Sequence, residues 1–528
     1  MPRTKSKRKS THNQQQTAIP VKKDKTEVSP STSKEESKEE KVVKFTGKVP
    51  IDEEFRDYAN GPYHVYVEGD TIFDVMLNQT NIGQNNNKYY RIQIIKHNTK
   101  SEFVTLCRWG RVGKVAGKSN TNSNNVDGAK KEFSKKYHDK TGSHWGWPDA
   151  FQIQKPGKYV VIKLDYGEDD DKKKGSVSKK VKEEIPSKLD ERVQSAISLI
   201  FNKTEWEAAV KEMKFDVNKS PLGKLTKRQI KAGYESLKAV ETCLKPGTHE
   251  KELMAACSDF YTKVPHDFGM KRPPLIRTKE ELKEKLDLLE ALDDIQIAIN
   301  IVKEDDNTNK LDSYYDSLNC DLEPLEKTEK EFKTVQDYVK TTHGHLHFFK
   351  LKLEDVFKVK RETDNKKFQE NIGNRMLLWH GSRITNWCGI LSQGLRIAPP
   401  EAPVTGYMFG KGVYFADVVS KSAQYCFASA RQPHGFLLLC EVALGGINEK
   451  TQSDYNANRL PQGKHSTKGL GMHAPNPKKH ATFSGVKVPL GKPVATKVKN
   501  TWLRYNEYIV YDTAQIKPRY LVKVSFEY

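Results

Sequence analysis

The hydrophobic period of this chain changes twice, and one core cannot serve both periods. Between residues 186 and 304 apolar side chains recur at helical spacing. Leu189, Val193, Ile197 and Ile200 fall on one face, and Leu282, Leu286, Leu289, Leu292, Ile295, Ile299 and Val302 on another. Capping boxes at Thr226-Lys-Arg-Gln229 and Thr278-Lys-Glu-Glu281 predict two helix starts, where a hydroxyl and a reciprocal side chain satisfy amides with no partner inside the helix. On either side the pattern is that of strands. Tyr89 to Ile95 and Phe103 to Trp109 precede the helical stretch. Met376 to Trp379, Phe436 to Leu444, Tyr508 to Tyr511 and a terminal alternation of Tyr520, Val522, Val524, Phe526 and Tyr528 follow it. The expected fold is therefore multidomain: an α+β domain over 55–166 with a helix near Asp127 to Tyr137, an all-α domain over 185–305, and an α+β domain over 315–528. At 528 residues there is room for all three.

Two stretches carry too little apolar surface to fold. Residues 1–48 are rich in Lys, Ser, Thr, Glu and Gln, with no aromatic before Phe45, which predicts a disordered basic tail. Its Lys5, Lys7, Arg8 and Lys9 suit nuclear import or phosphate contact. Residues 167–184, around Glu168-Asp-Asp-Asp-Lys-Lys-Lys-Gly-Ser176, predict a charged linker. The most apolar run, Gly435 to Leu444, is broken by Glu441 and is far too short to span a membrane. No apolar stretch follows the basic N-terminus, so no secretory signal is expected and the nucleus is the predicted location. The seven cysteines form no C-x-x-C pair, so neither zinc nor disulfides are expected, and no metal site is predicted.

A formal net charge of +21 suggests a polyanionic partner, and the excess is local: residues 88–163 hold 16 Lys/Arg against 5 Asp/Glu. Tyr89, Tyr90, Trp109, Tyr137, Trp145 and Trp147 are interleaved with that charge, although most of them also suit the core of a small β domain. The string Arg108-Trp-Gly-Arg-Val-Gly113, followed by Asp127 to Tyr137, resembles the WGR domain. That resemblance implies binding to broken or nicked DNA, with Trp109 laying an aromatic face on sugar or base and Arg111 a guanidinium on phosphate. Lys130 and Lys131 are further candidates.

In the last domain, Leu377-Leu-Trp-His-Gly-Ser-Arg383 brings an imidazole, a glycine and a hydroxyl to the end of an apolar strand. Taken alone, it could be a structural histidine. Joined to the run from Gly394 to Asp417, to Lys421-Ser-Ala-Gln-Tyr425 and to Tyr505-Asn-Glu-Tyr-Ile-Val-Tyr-Asp512, it resembles the poly(ADP-ribose) polymerases. The order of tail, WGR, helical domain and transferase resembles their DNA-dependent members, without the cysteines of the zinc fingers that the largest member carries.

That resemblance implies an enzyme that takes NAD⁺ as substrate and breaks the bond between ribose C1′ and the nicotinamide nitrogen through an oxocarbenium-like state. His380, Tyr414 and Glu507 would form its catalytic triad. His380 would bond the adenosine ribose, Gly381 and Ser422 would clasp the nicotinamide amide, and Tyr425 would stack on the ring opposite Tyr414. Ser382, Gly389 and Arg396 would make further dinucleotide contacts, and Lys421 and Met408 would lie on the acceptor side. Glu507 would hold the nicotinamide-ribose 2′-hydroxyl. The helical domain would shield this site until DNA binds, and Glu290 and Asp294 are the residues expected to face the adenine side. Acceptors would be the chain itself, histones and repair proteins. Lys5-Ser6 and Lys9-Ser10 are candidate self-modification sites, helped by a histone PARylation factor. A mono(ADP-ribosyl)transferase of the same architecture and an inactive DNA-end scaffold are the alternatives.

Overall fold

The computed structural model describes residues 49–114, 116–146, 155–162, 185–215, 225–301 and 308–528. The expectations for the tail over 1–48, the linker over 167–184, Trp147 and Val302 lie outside them.

The first domain is a six-stranded antiparallel sheet whose main path runs Gly117–Ser123, Phe103–Arg111, Asn86–His97, Asp74–Asn81 and Val160–Ile162. Helix Val126–Thr141 lies on one face, burying Ala129, Phe133 and Tyr137 against Val75, Leu77, Tyr90, Ile92 and Ile94. Asn125 caps it by accepting the Gly128 amide at 2.8 Å, and Gly142 ends it at φ 73°, a left-handed turn suited to glycine. The other face is covered too. Met76, Tyr89 and Ile162 join the core of the helical domain. Strand Asp74–Asn81 is consequently buried along nearly its whole length, polar residues included. Those polar groups are paired across the seam: Asn78 Nδ2 donates to the Tyr261 and Thr262 carbonyls at 3.0 and 2.9 Å, and Asn87 Nδ2 to the His266 carbonyl at 2.9 Å. Buried donors paired in this way hold two domains in register.

The helical domain comprises Glu191–Ile200, Lys203–Glu212, Lys227–Cys243, Glu250–Lys263 and Lys279–Ile301. Val193, Ile197 and Ile200 are buried as their spacing predicts. The Thr278 box is complete: the Glu281 amide donates to the Thr278 hydroxyl and the Thr278 amide to the Glu281 carboxylate, both at 3.1 Å. The Thr226 box is half made. Thr226 accepts the Gln229 amide at 3.2 Å, but the Gln229 side chain donates instead to the Lys263 carbonyl at 2.7 Å, tying two helices together. Helix Lys279–Ile301 buries Leu282, Leu286, Leu289, Leu292 and Ile295, and also Leu288, Ala291, Asp294, Gln296, Ile297 and Ala298. It is covered on nearly every side. Ile299 departs from the expected stripe and is 38% exposed, because a repeat near 3.5 residues drifts off the face of a straight helix.

The last domain packs two sheets. A seven-stranded sheet runs Ala481–Phe483, Val486–Val488, Arg375–Gly381, His434–Ala443, Ile516–Glu527, Lys350–Lys360 and Asp321–Pro324. A four-stranded sheet runs Val413–Phe415, Glu507–Val510, Ser466–Gly469 and Ile447–Lys450. Paired backbone bonds between Trp379 and Ala416, 2.9 Å each, tie the two sheets at the end of strand Arg375–Gly381. Among the described residues no helix is long and apolar enough to cross a membrane.

Candidate active site

The cleft opens where those sheets meet, has a volume of about 820 Å³, and is walled on its far side by helix Lys279–Ile301. Strand Arg375–Gly381 delivers His380 to it. The ring Nδ1 lies 2.9 Å from the Tyr414 carbonyl, an acceptor only, so Nδ1 carries the proton and Nε2 is left with a lone pair. Burial lowers the His380 pKa, which keeps the ring neutral near pH 7. Tyr414 is held at its hydroxyl, which donates to the Gly410 carbonyl at 2.7 Å and accepts the Phe409 amide at 2.9 Å. The ring is therefore a fixed wall, with Met408 packed beside it.

Gly381 is dictated by space: a Cβ there would overlap the Ser422 carbonyl oxygen. Ser422 is buried, and its hydroxyl donates to the Trp379 carbonyl at 2.9 Å. Tyr425, at the mouth, keeps 48% of its surface exposed, a ring with a free face. Ser382 lines the same wall, its hydroxyl accepting from Asn386 Nδ2 at 3.0 Å.

Glu507 begins strand Glu507–Val510 and is almost fully buried. Its Oε1 pairs with Lys421 Nζ at 2.8 Å, and Lys421 also donates to the Tyr505 carbonyl at 3.0 Å. Its Oε2 is buried with no protein partner, an acceptor awaiting a donor. The strand end is fixed from below, where Asn506 and Tyr508 both donate to Asp417 Oδ2, at 2.8 and 3.0 Å.

On the opposite side Arg396 is already engaged. It pairs with Asp293 at 2.8 Å and with the buried Asp294, whose carboxylate also fills the space that a Cβ at Gly389 would need. Burial raises the Asp294 pKa well above the usual carboxylate range, and Arg396 opposes that rise. Glu290 lines the cleft one turn earlier, where burial raises its carboxyl pKa and the Lys283 and Arg396 charges oppose that rise. Asp293 was not singled out from sequence, although the adjacent pair Asp293-Asp294 gave the signal. Arg383 was also missed. Its guanidinium sits 3.4 Å over the Phe427 ring at the cleft mouth.

The candidate DNA contacts do not form one exposed patch. Trp109 is half-buried and stacks on Tyr90 at 5.7 Å. In this conformation the Arg111 guanidinium is taken up by protein acceptors, the Gly269 and Lys271 carbonyls at 2.6 Å each and Asn85 O and Oδ1 at 2.7 and 3.0 Å. The physical reason is that Asn85, at φ 52°, turns its carbonyl beside the helical domain and completes a ring of oxygens. Lys130 is paired with Glu68 at 2.5 Å, while Lys131 is exposed. Among the described residues no group of His, Cys, Asp or Glu has the geometry to hold a metal.

A buried carboxylate with a vacant oxygen, a neutral imidazole and two aromatic walls around one cleft define a site for cleaving and transferring a glycosyl group. Comparison with known proteins gives the same class. The family model of the poly(ADP-ribose) polymerase catalytic domain matches residues 329–526, that of the regulatory domain 187–315, and that of the WGR domain 73–152. Poly [ADP-ribose] polymerase 2 of Homo sapiens is 49% identical over 508 residues, 94% of this chain and 86% of that protein. Poly [ADP-ribose] polymerase 2 of Arabidopsis thaliana is 44% identical over 497 residues, 91% of this chain and 77% of that protein. Poly [ADP-ribose] polymerase 1 of Gallus gallus is 41% identical over 504 residues, 94% of this chain but 49% of that protein. The chain belongs to the poly(ADP-ribose) polymerase family. It is an ADP-ribosyltransferase whose substrate is NAD⁺.

Proposed function

We propose that this enzyme is activated by broken or nicked DNA in the nucleus and acts in the damage response, transferring ADP-ribose to itself, to histones and repair proteins, and then to the growing chain. The observation that carries the reading is the state of Arg396, a candidate dinucleotide contact held by Asp293 and Asp294 of the helical domain. An NAD⁺ pyrophosphate and those carboxylates compete for one guanidinium. Helix Lys279–Ile301 must shift before the cleft accepts its substrate, and DNA bound by the first domain, whose sheet is hydrogen-bonded to helix Glu250–Lys263, supplies the shift.

Within the cleft His380 Nε2 accepts from an adenosine-ribose hydroxyl, Gly381 and Ser422 hold the nicotinamide amide, and the ring lies between Tyr425 and Tyr414. Ser382 and Gly389 contact the adenosine side, where Gly389 leaves room for the cofactor once Asp294 withdraws. Glu507 Oε2 takes the nicotinamide-ribose 2′-hydroxyl, and its charge stabilises the positive charge that develops as the C1′–nitrogen bond breaks. Nicotinamide leaves with the electron pair of the broken C1′–nitrogen bond, and the acceptor hydroxyl oxygen bonds to C1′ as it releases its proton to solvent. Lys421 and Met408 border the acceptor. Trp109, Lys130 and Lys131 contact the DNA, and a histone PARylation factor directs modification to serine.

NAD⁺ turnover by the full chain with intact, nicked and 5′-phosphorylated nicked duplexes tests the reading. Stimulation by broken DNA alone is the expected outcome, and equal rates with and without breaks would refute it. Gel migration of the automodified product separates polymer, a long smear, from a mono(ADP-ribosyl)ated band.

A further inference from the structure

The segment 399–411 walls the cleft, contributing Pro399, Glu401, Gly406, Tyr407 and Met408 to its lining. It has little structure of its own. Three short turns, and bonds from Lys411 Nζ to the Pro399 and Pro400 carbonyls at 2.7 and 3.0 Å, make up its internal ties. Its far end is held by the transferase, where the Asp454 amide donates to the Met408 carbonyl, the Tyr511 hydroxyl to the Phe409 carbonyl, and Tyr414 bonds Phe409 and Gly410, whereas residues 401–407 are restrained by the helical domain. Glu241, near the end of helix Lys227–Cys243, accepts two successive amides at one oxygen, Val404 at 2.7 Å and Thr405 at 2.6 Å. Leu286 packs where a Cβ on Gly406 would stand, and Lys283 lies 5.2 Å over the Tyr407 ring. The Lys231–Glu401 pair at 2.7 Å is too exposed to contribute much. The Glu241 bonds differ in kind: they are partly buried, charge-assisted, and aimed at backbone that no side chain of the transferase serves.

We propose that Glu241 is a positioning residue through which the helical domain pins the wall of the NAD⁺ cleft, so that the same movement that withdraws Asp293 and Asp294 also frees the wall to admit substrate. This rests on the reading that the helical domain restrains the cleft, and it adds a second restraint, on the segment that follows Arg396 in the chain. Occupancy at Arg396 blocks a contact, whereas the Glu241 clamp limits the shape of the cleft.

The test uses the full chain without DNA. Hydrogen exchange of a peptide spanning 399–411 and the KM for NAD⁺ are measured for wild type, Glu241→Ala and Glu241→Gln. In Glu241→Ala the Val404 and Thr405 amides should exchange about tenfold faster or more, the scale set by loss of a charge-assisted bond. The KM for NAD⁺ should fall several-fold, with kcat at saturating nicked DNA unchanged. Glu241→Gln, which keeps an acceptor oxygen but no charge, should fall between. Unchanged exchange over 399–411 overturns the proposal, as does faster exchange with an unaltered KM. So does equal loosening of Lys279–Ile301, which would mean general unfolding. Asp294→Ala separates the two ideas: it should raise DNA-free turnover while exchange over 399–411 stays as in wild type. If Asp294→Ala leaves turnover unchanged, the occupancy reading fails, and the clamp is judged on Glu241 alone.

Discussion

Arg111 offers the sharpest test of how the first domain reaches the catalytic cleft. Its Nε and one Nη donate to the Gly269 and Lys271 carbonyls, and the remaining bonds go to Asn85 on its own side of the seam. Only the first two cross between domains. Hydrogen bonds to a charged group contribute about 1.5–3 kcal/mol net, and the partial exposure of this guanidinium places each at the lower end. Truncation to alanine should therefore cost the docking of the two domains about 3 kcal/mol, roughly a hundredfold in docked population. Gly269 and Lys271 would regain water at their carbonyls, so the loss should stay near that figure. Arg111→Lys should recover little, because one ammonium cannot span oxygens on both sides. Binding of a nicked duplex by fluorescence polarisation and NAD⁺ turnover against DNA concentration are the paired assays. The expected result is a DNA affinity within about threefold of wild type with a salt slope unchanged, while maximal DNA-stimulated turnover falls at least about tenfold. A phosphate contact behaves in the opposite way: affinity falls and the salt slope drops by about one. That outcome would refute the coupling argument.

Other substitutions probe the cleft. Glu507→Gln removes the charge that faces Lys421 and the substrate, and polymer formation should fall by about 10- to 150-fold, with some NAD⁺ cleavage and normal DNA binding retained; persistence of long chains on gels would reject the role given to Glu507. Gly381→Ala must displace the Ser422 backbone, so nicotinamide-site ligands should no longer raise the melting temperature, and an undiminished shift would show that the cradle is not there. The pH dependence follows from Asp294, whose carboxyl is raised by burial in the docked state. Docking then takes up a proton, so this stabilisation is complete below about pH 3.8 and is lost as pH rises through the raised value. DNA-free turnover relative to DNA-saturated turnover should climb with pH above 3.8, and Asp294→Asn should flatten the climb; superimposable profiles would remove Asp294 from the restraint.

What could be read in the sequence was local. The Thr278 box closes within three residues, and the strand of His380 is marked by four successive apolar residues ahead of it. Gly381 stood out as part of a string, although its reason, the Ser422 carbonyl, lies 41 positions away. The acidic row Glu290, Asp293 and Asp294 sits at helical spacing, yet its direction was only partly legible, because a helix buried on nearly all sides offers no solvent face against which to orient it.

The contacts between domains were the least visible, and for a definite reason. Asn78, Thr80 and Asn87 lie in strands where polar side chains ordinarily mark the solvent face. Here they meet the helical domain: Asn78 and Asn87 donate to carbonyls more than 170 residues away, and the Thr80 amide donates to the Thr262 hydroxyl. Arg111, in a basic stretch, reads as a phosphate ligand because no local feature distinguishes a guanidinium aimed at phosphate from one aimed at a ring of carbonyls. Both demand a planar fork of donors. The two uses differ in what they predict for DNA binding. A guanidinium that holds the helical domain in one state and sits beside the DNA-binding surface would make the seam responsive to what that surface binds, and the salt slope of Arg111→Ala reads that directly.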